Sequence, residues 1–396
     1  MASSQARQRI VLALFLMFMG LGCNQQEEAH ERSFRTYWSV KPSLKFEVCN
    51  LIGILIGREV ELRHHTQTYR EWQANLPANV KTALVALDQL IGSHWPPGPR
   101  LSLLWSNLAA VDSLTSLLAT AQNDSAMRAA LMASDYGSAR NWEHWLQLKP
   151  RVTVVLQYLA SAHFDSYWRS RVLPELIGKA SNLKQELQAY DVVGDLERFL
   201  RDYEFRSDTV TIYLLALAQP HELRVASQSR YADVRLPVRP VVKSFYREML
   251  HPYCDRLVDS TFAREFLALQ RDAFLQECLR QVAGNGGSHN VAEFLKKEVV
   301  LAAELWLAGR RQLLATPEGG QQYDAGAVVR NYLQQKDGGP HGLAAVIYSY
   351  LESGLKIDRV SYASFIKDLF ATGRLQPGKI APRYEEFMNG LKGNVD

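Results

Sequence analysis

Cysteine is scarce. Four residues in 396 (Cys23, Cys49, Cys254 and Cys278) are too few for a disulfide framework to hold a fold of this size. The glycine-rich phosphate and nucleophile signatures are missing as well. No GxGxxG, GxxxxGKS/T or GxSxG occurs, so the dinucleotide, P-loop and hydrolase-elbow readings lose their motif support. No segment recurs at about 20–50 residues, which argues against a solenoid. An excess of one charge is also lacking. Lys and Arg number 45 against 41 Asp and Glu, a formal charge of +4, and no basic stripe marks a dedicated nucleic-acid binder. What remains is a chain with 47% hydrophobic and 22% charged residues, the balance of a protein that buries a core. Its length suits one large domain or two ordinary ones.

The N-terminus reads as a targeting segment. Arg7 and Arg9 precede the apolar run "IVLALFLMFM" (10–19) and then "GLGC", ending at Cys23. Such a run is too short to span a bilayer, which takes about 20 apolar residues, and it has the length of a signal-peptide core. Residues 1–23 resemble a bacterial lipoprotein signal, with Cys23 as the lipidated residue and Gly22 as the small residue before it. Gly20 departs from the leucine usual in that pattern, and a plain secretory signal is the alternative. Either way the mature chain is expected outside the cytoplasm; in the lipoprotein reading Cys23 anchors it to a membrane of the bacterial cell envelope. Cys49, Cys254 and Cys278 then remain, either with one bridge among them or as buried thiols.

The rest of the chain predicts a predominantly helical α+β fold with a small sheet over about residues 208–236. Residues 24–40 begin polar and are expected to be a tether. A helical region is expected over 41–205, a central core over 206–320 and a second helical region over 321–396. In "NVKTALVALDQLI" (79–91), Val80, Leu84, Leu87 and Leu90 fall near one face, the helical period. "LSLLWSNLAAVDSLTSLLATA" (101–121) predicts one long central helix. Asp195 is a candidate N-cap for "DLERFLRDYEF". "DTVTIYLLALAQP" (208–220) is rich in strand formers and closed by Pro220, and "ELRVASQS" and "YADVRL" read as shorter strands. "VRPVVKSFYREMLHPYCDRLVD" then turns helical, followed by helices over 260–283 and roughly 290–315.

The chemistry rests on "REMLHPYCD". Arg247, Glu248 and His251 have the spacing of the zinc-peptidase motif H-E-x-x-H, except that its first histidine is an arginine. In that motif, histidines at i and i+4 share a helix face and reach one Zn²⁺, and the glutamate activates the metal-bound water. The run 208–259 resembles the core of the gluzincin branch of zincins. "REMLHPYCDRLVD" is similar to a family of uncharacterised secreted or lipid-anchored bacterial proteins bearing H-E-F-x-H-P/S-F/Y-x-N/D-x-L, matched at His251, Pro252, Tyr253, Asp255 and Leu257. "KPSLKFEVCNLIGILIG" (41–57) and "FLKKEVVLAAELWLAG" (294–309) resemble other parts of that family's domain. The resemblance implies a zinc cofactor held by His251 and Glu298, with Glu304 as the fallback ligand and Glu248 as general base. Six residues separate Glu298 from Glu304, about 240° around a helix, so the two are not expected to face one site.

Arg247 breaks the pattern. A guanidinium stays protonated and has no lone pair to give a metal. Arg247 is therefore expected to pair with Glu298 or Glu248 and fill the metal position, leaving zinc absent or weakly bound. Cys254, His289 and His341 are candidate replacement ligands, although Pro252 is expected to bend or end the helix before Cys254. The expected function is that of a pseudo-peptidase that binds extended peptides. The alternatives are an active zinc peptidase with an unusual ligand set and a helical scaffold lipoprotein whose R-E-x-x-H arose on an ordinary amphipathic helix.

Overall fold

Four strands form one mixed sheet in the order β1-β2-β4-β3: β1 (Tyr37–Pro42), β2 (Thr209–Leu215), β3 (Glu222–Ala226) and β4 (Ser229–Asp233). β1 runs parallel to β2, with Tyr37 opposite Thr209, and β2 runs parallel to β4, with Thr211 opposite Ser229. β3 is antiparallel to β4 and forms an edge, with a register shift between Arg224 and Ala226. These relations come from a computed structural model that describes residues 34–93, 95–108, 113–219, 222–284, 290–314, 323–336, 340–353 and 359–390. The expected signal segment with Cys23, the first part of the tether, and His289 lie outside the described residues.

The strand at 37–42 corrects the tether expected up to residue 40. Trp38 is almost fully buried and its indole N–H donates to Tyr190 O at 2.9 Å. Just before the strand, the Thr36 backbone N–H and hydroxyl both donate to Asp191 Oδ1. Asp191 also accepts from Gly194 N, and so caps helix α3 (Val192–Leu200). Asp195, the cap expected from sequence, lies in the first turn of α3 instead and accepts from the Tyr246 hydroxyl, Arg198 and Arg311.

Helices cover both sheet faces because β2 alternates. Val210 and Ile212 join a core with helix α4 (Val238–Arg256), helix α5 (Val291–Arg310) and helix α6 (Gly342–Glu352). Leu215 faces the other way, onto Phe46 of helix α1 (Leu44–Ile56). Glu47 of α1 ties helix to sheet: its fully buried carboxylate accepts from Ala216 N at 2.7 Å and Leu217 N at 2.9 Å. A second core fills the space between α1 and the helices up to about residue 173. The residues at 187–200 pack with the later core, so the apolar division falls earlier than the expected boundary at 205. α1 crosses helix α2 (Pro97–Leu104) closely, because a Cβ on Gly53 would lie 2.8 Å from Gly98 N.

The long helix expected over 101–121 is interrupted: α2 ends at Leu104, and the next helix runs Leu114–Gln122. The helix expected over 260–283 is likewise two, Ala263–Leu269 and Ala273–Gly284. Pro252 does not end α4, which continues to Arg256. Proline removes one backbone hydrogen bond, and burial of Leu250, Tyr253 and Cys254 offsets that loss through packing. Cys49, Cys254 and Cys278 are all buried free thiols. Among the described residues, no helix is long and apolar enough to cross a membrane.

Candidate functional site

α4 buries Val241, Val242, Phe245, Tyr246, Met249, Leu250, Tyr253 and Cys254. That apolar face leaves Arg247, Glu248 and His251 toward a cleft of about 300 Å³. Glu298 and Glu304 of α5 also line the cleft, as do Lys297, Lys336 and His341. Arg247, Glu248, His251, Glu298, Glu304 and His341 thus line one cleft, whereas Cys254 is not among its lining residues. Glu298 and Glu304 both line the cleft but, as their spacing around α5 implies, engage different partners.

The pairing within the cleft differs from expectation. Arg247 binds neither Glu298 nor Glu248 but Glu304, with Nε donating to Oε2 and Nη2 to Oε1, both at 2.8 Å. This is the two-point geometry that guanidinium and carboxylate favour. The Glu304 side chain is fully buried. Its charge beside Arg247 holds the guanidinium pKa well above the ordinary arginine value despite burial. Lys243 Nζ lies 4.0 Å from Glu304 Oε1 and donates to the Tyr332 hydroxyl at 3.1 Å.

Glu298, the expected third ligand, is committed elsewhere. Its Oε1 accepts from His341 Nδ1 at 2.6 Å and its Oε2 from Ala344 N at 3.0 Å. It thereby satisfies the N-terminus of α6, where backbone N–H groups lack partners within the helix. His341, a candidate replacement ligand, is thus held against Glu298. Cys254, the other described candidate, is fully buried, and burial pushes its thiol pKa well up. A thiolate is the form a metal binds.

Glu248, the expected general base, lies between two cations. Arg224 Nη1 of β3 and Arg230 Nη2 of β4 each stand 3.7 Å from its carboxylate. The Arg230 guanidinium also lies over the Phe245 ring, 5.5 Å from its centre. The Arg224 side chain links β3 to Glu248, and the Arg224 carbonyl accepts from the Tyr136 hydroxyl at 2.7 Å. His251 Nδ1 is 3.9 Å from Asp255 Oδ1, too long for a hydrogen bond.

This donor set does not fit a zinc ion. Both Glu304 oxygens face Arg247, the Glu298 oxygens face His341 and Ala344 N, and a cation occupies the first ligand position. Among the described residues, no three His, Cys, Asp or Glu side chains gather as a metal-holding group. Sequence reasoning identified Arg247 as the departure but missed Arg224 and Arg230. Their only signal was that both stand in short strands immediately before the motif helix.

No protein-family model matches the chain, and neither does any curated protein or solved structure.

Proposed function

We propose that this chain is a lipid-anchored bacterial envelope protein of zincin ancestry, in which an ion pair has replaced the metal and which binds extended peptides without hydrolysing them. The observation that carries this reading is the Arg247–Glu304 pair. It joins the position of the missing histidine to Glu304, the fallback ligand position on a later helix, while Glu298, the expected ligand, is engaged by His341 and Ala344. The sheet supports the same reading. β3 is an antiparallel edge, and its Arg224 side chain reaches Glu248, a lining residue of the cleft. A free strand edge offers backbone donors and acceptors to an added peptide strand. Tyr136 already holds one of its carbonyls, so a bound peptide would displace that hydroxyl or pair with the others.

Measuring zinc in the purified chain, together with peptidase activity on a mixed peptide library, tests the proposal. The expected result is substoichiometric zinc and no cleavage. Near-stoichiometric zinc with peptide hydrolysis would overturn it in favour of a live peptidase. Arg247→His tests the ancestry: it removes the cation, frees Glu304 and supplies the missing imidazole beside His251. Gain of zinc binding supports the ancestry, whereas a folded variant that stays metal-free counts against it.

A further inference from the structure

The cleft offers a peptide a particular chemistry. Arg247, Lys297 and Lys336 line it, Arg224 and Arg230 back it through Glu248, and Lys243 approaches Glu304. Among the lining residues themselves, three cations meet three carboxylates, Glu248, Glu298 and Glu304. Two of the three are hidden: the Glu304 and Glu298 side chains are 0% and 1% exposed, and their oxygens are engaged by Arg247 and by α6. Glu248 is shared between two guanidinium groups. Of the lining cations, Arg247 and Lys297 reach the opening. Lys297 is exposed, and Arg247 remains 33% exposed. The Arg247–Glu304 bonds use Nε and Nη2, which leaves the Nη1 donors of a five-donor group outside that pair. Val282, Phe294 and Leu301 supply apolar walls, and low-dielectric walls focus the field of charges at a cleft.

Resting on the peptide-binding reading, we infer that this cleft selects its ligand by a carboxylate. An acidic side chain or a free C-terminal carboxylate of a peptide sits against Arg247, Lys297 and Lys336. A cleft that once required anionic ligands for a dication would then attract anions from outside.

The test uses the full chain and fluorescent octapeptides of one framework bearing glutamate, glutamine or lysine, each with a free or an amidated C-terminus. Binding is read by anisotropy at rising salt. The glutamate peptide is expected to bind about tenfold tighter than its glutamine twin, with the lysine twin weakest and the preference shrinking as salt screens the charges. An advantage of free over amidated ends within the glutamine pair assigns the site to the α-carboxylate. An advantage of glutamate within the amidated set assigns it to the side chain. Lys297→Gln and Lys336→Gln, made singly and checked for unchanged melting, should each reduce the preference. Equal binding of all the peptides overturns the charge selection and leaves peptide binding standing. Failure of every peptide to bind overturns both, and tightest binding by the lysine peptide overturns the selection outright.

Discussion

Arg247 and Glu304 meet in a two-point ion pair that spans α4 and α5, with both contacts at 2.8 Å and the carboxylate fully buried. A buried pair of this kind is costly to break from one side, because the remaining charge stays in a poorly solvating environment.

Arg247→Ala should therefore destabilise the protein by about 3 kcal/mol, the low end of the range for a broken buried pair, because the arginine is one-third exposed. Arg247→Met combined with Glu304→Leu should recover most of that loss, since apolar replacements for a buried pair are often neutral or better. Urea unfolding of the single and double variants measures both. A double variant no more stable than Arg247→Ala would contradict the account.

Glu47 sets a pH dependence. Burial pushes its carboxyl up to about 7, against the pull of the Ala216 and Leu217 N–H groups. The folded state thus holds this proton over a range where the unfolded state, with an ordinary value of 4.5, has released it. Its contribution is complete below the unfolded value and is lost as pH rises through about 7, a change of about 3 kcal/mol. His65 and His144, both depressed chiefly by burial, act in the opposite sense. The quantity to measure is therefore the stability of the wild type minus that of Glu47→Gln, from pH 4 to 8. It should fall with pH, and a flat difference would rule out the effect.

Helix contact at Gly53 is equally specific. A methyl group there meets the Gly98 backbone at 2.8 Å, and overpacking against backbone costs about 1–3 kcal/mol. Gly178, in the helix Leu173–Leu187, has nothing within 4 Å of an added Cβ. Gly178→Ala should stabilise by up to about 1 kcal/mol. Thermal melts of the two variants should shift in opposite directions.

Tyr136 guards the sheet edge. Tyr136→Phe removes the hydroxyl from Arg224 O, at a cost of about 1 kcal/mol for one hydrogen bond. If peptides add along β3, the freed carbonyl should raise their affinity severalfold in the anisotropy assay. A weaker or unchanged affinity would place the peptide elsewhere in the cleft.

Sequence periodicity captured the elements whose signal is local. The apolar stripe of α4 and the strand-forming run of β2 both stand where they were expected, and so does the sheet's position before the motif helix. β1 was missed because a six-residue strand buries few side chains and its partner, β2, lies far along the chain. The break after α2 was missed because "LSLLWSNLAAVDSLTSLLATA" is apolar throughout, so its period carries no boundary. Within the site, the charge at position 247 was legible as chemistry, but its partner was not. Glu298 and Glu304 are the same residue type on one helix. Only the placement of α6, which claims Glu298 through His341 and Ala344, leaves Glu304 to Arg247.

The register of Tyr37 against Thr209 imposes an order on folding. The first strand made must wait for a partner encoded far downstream, and long-range pairing of this sort is slow. During synthesis, β1 is a bare strand that other chains can join. A chaperone that shields the emerging N-terminal segment would protect this protein more than one that acts after the sheet has closed.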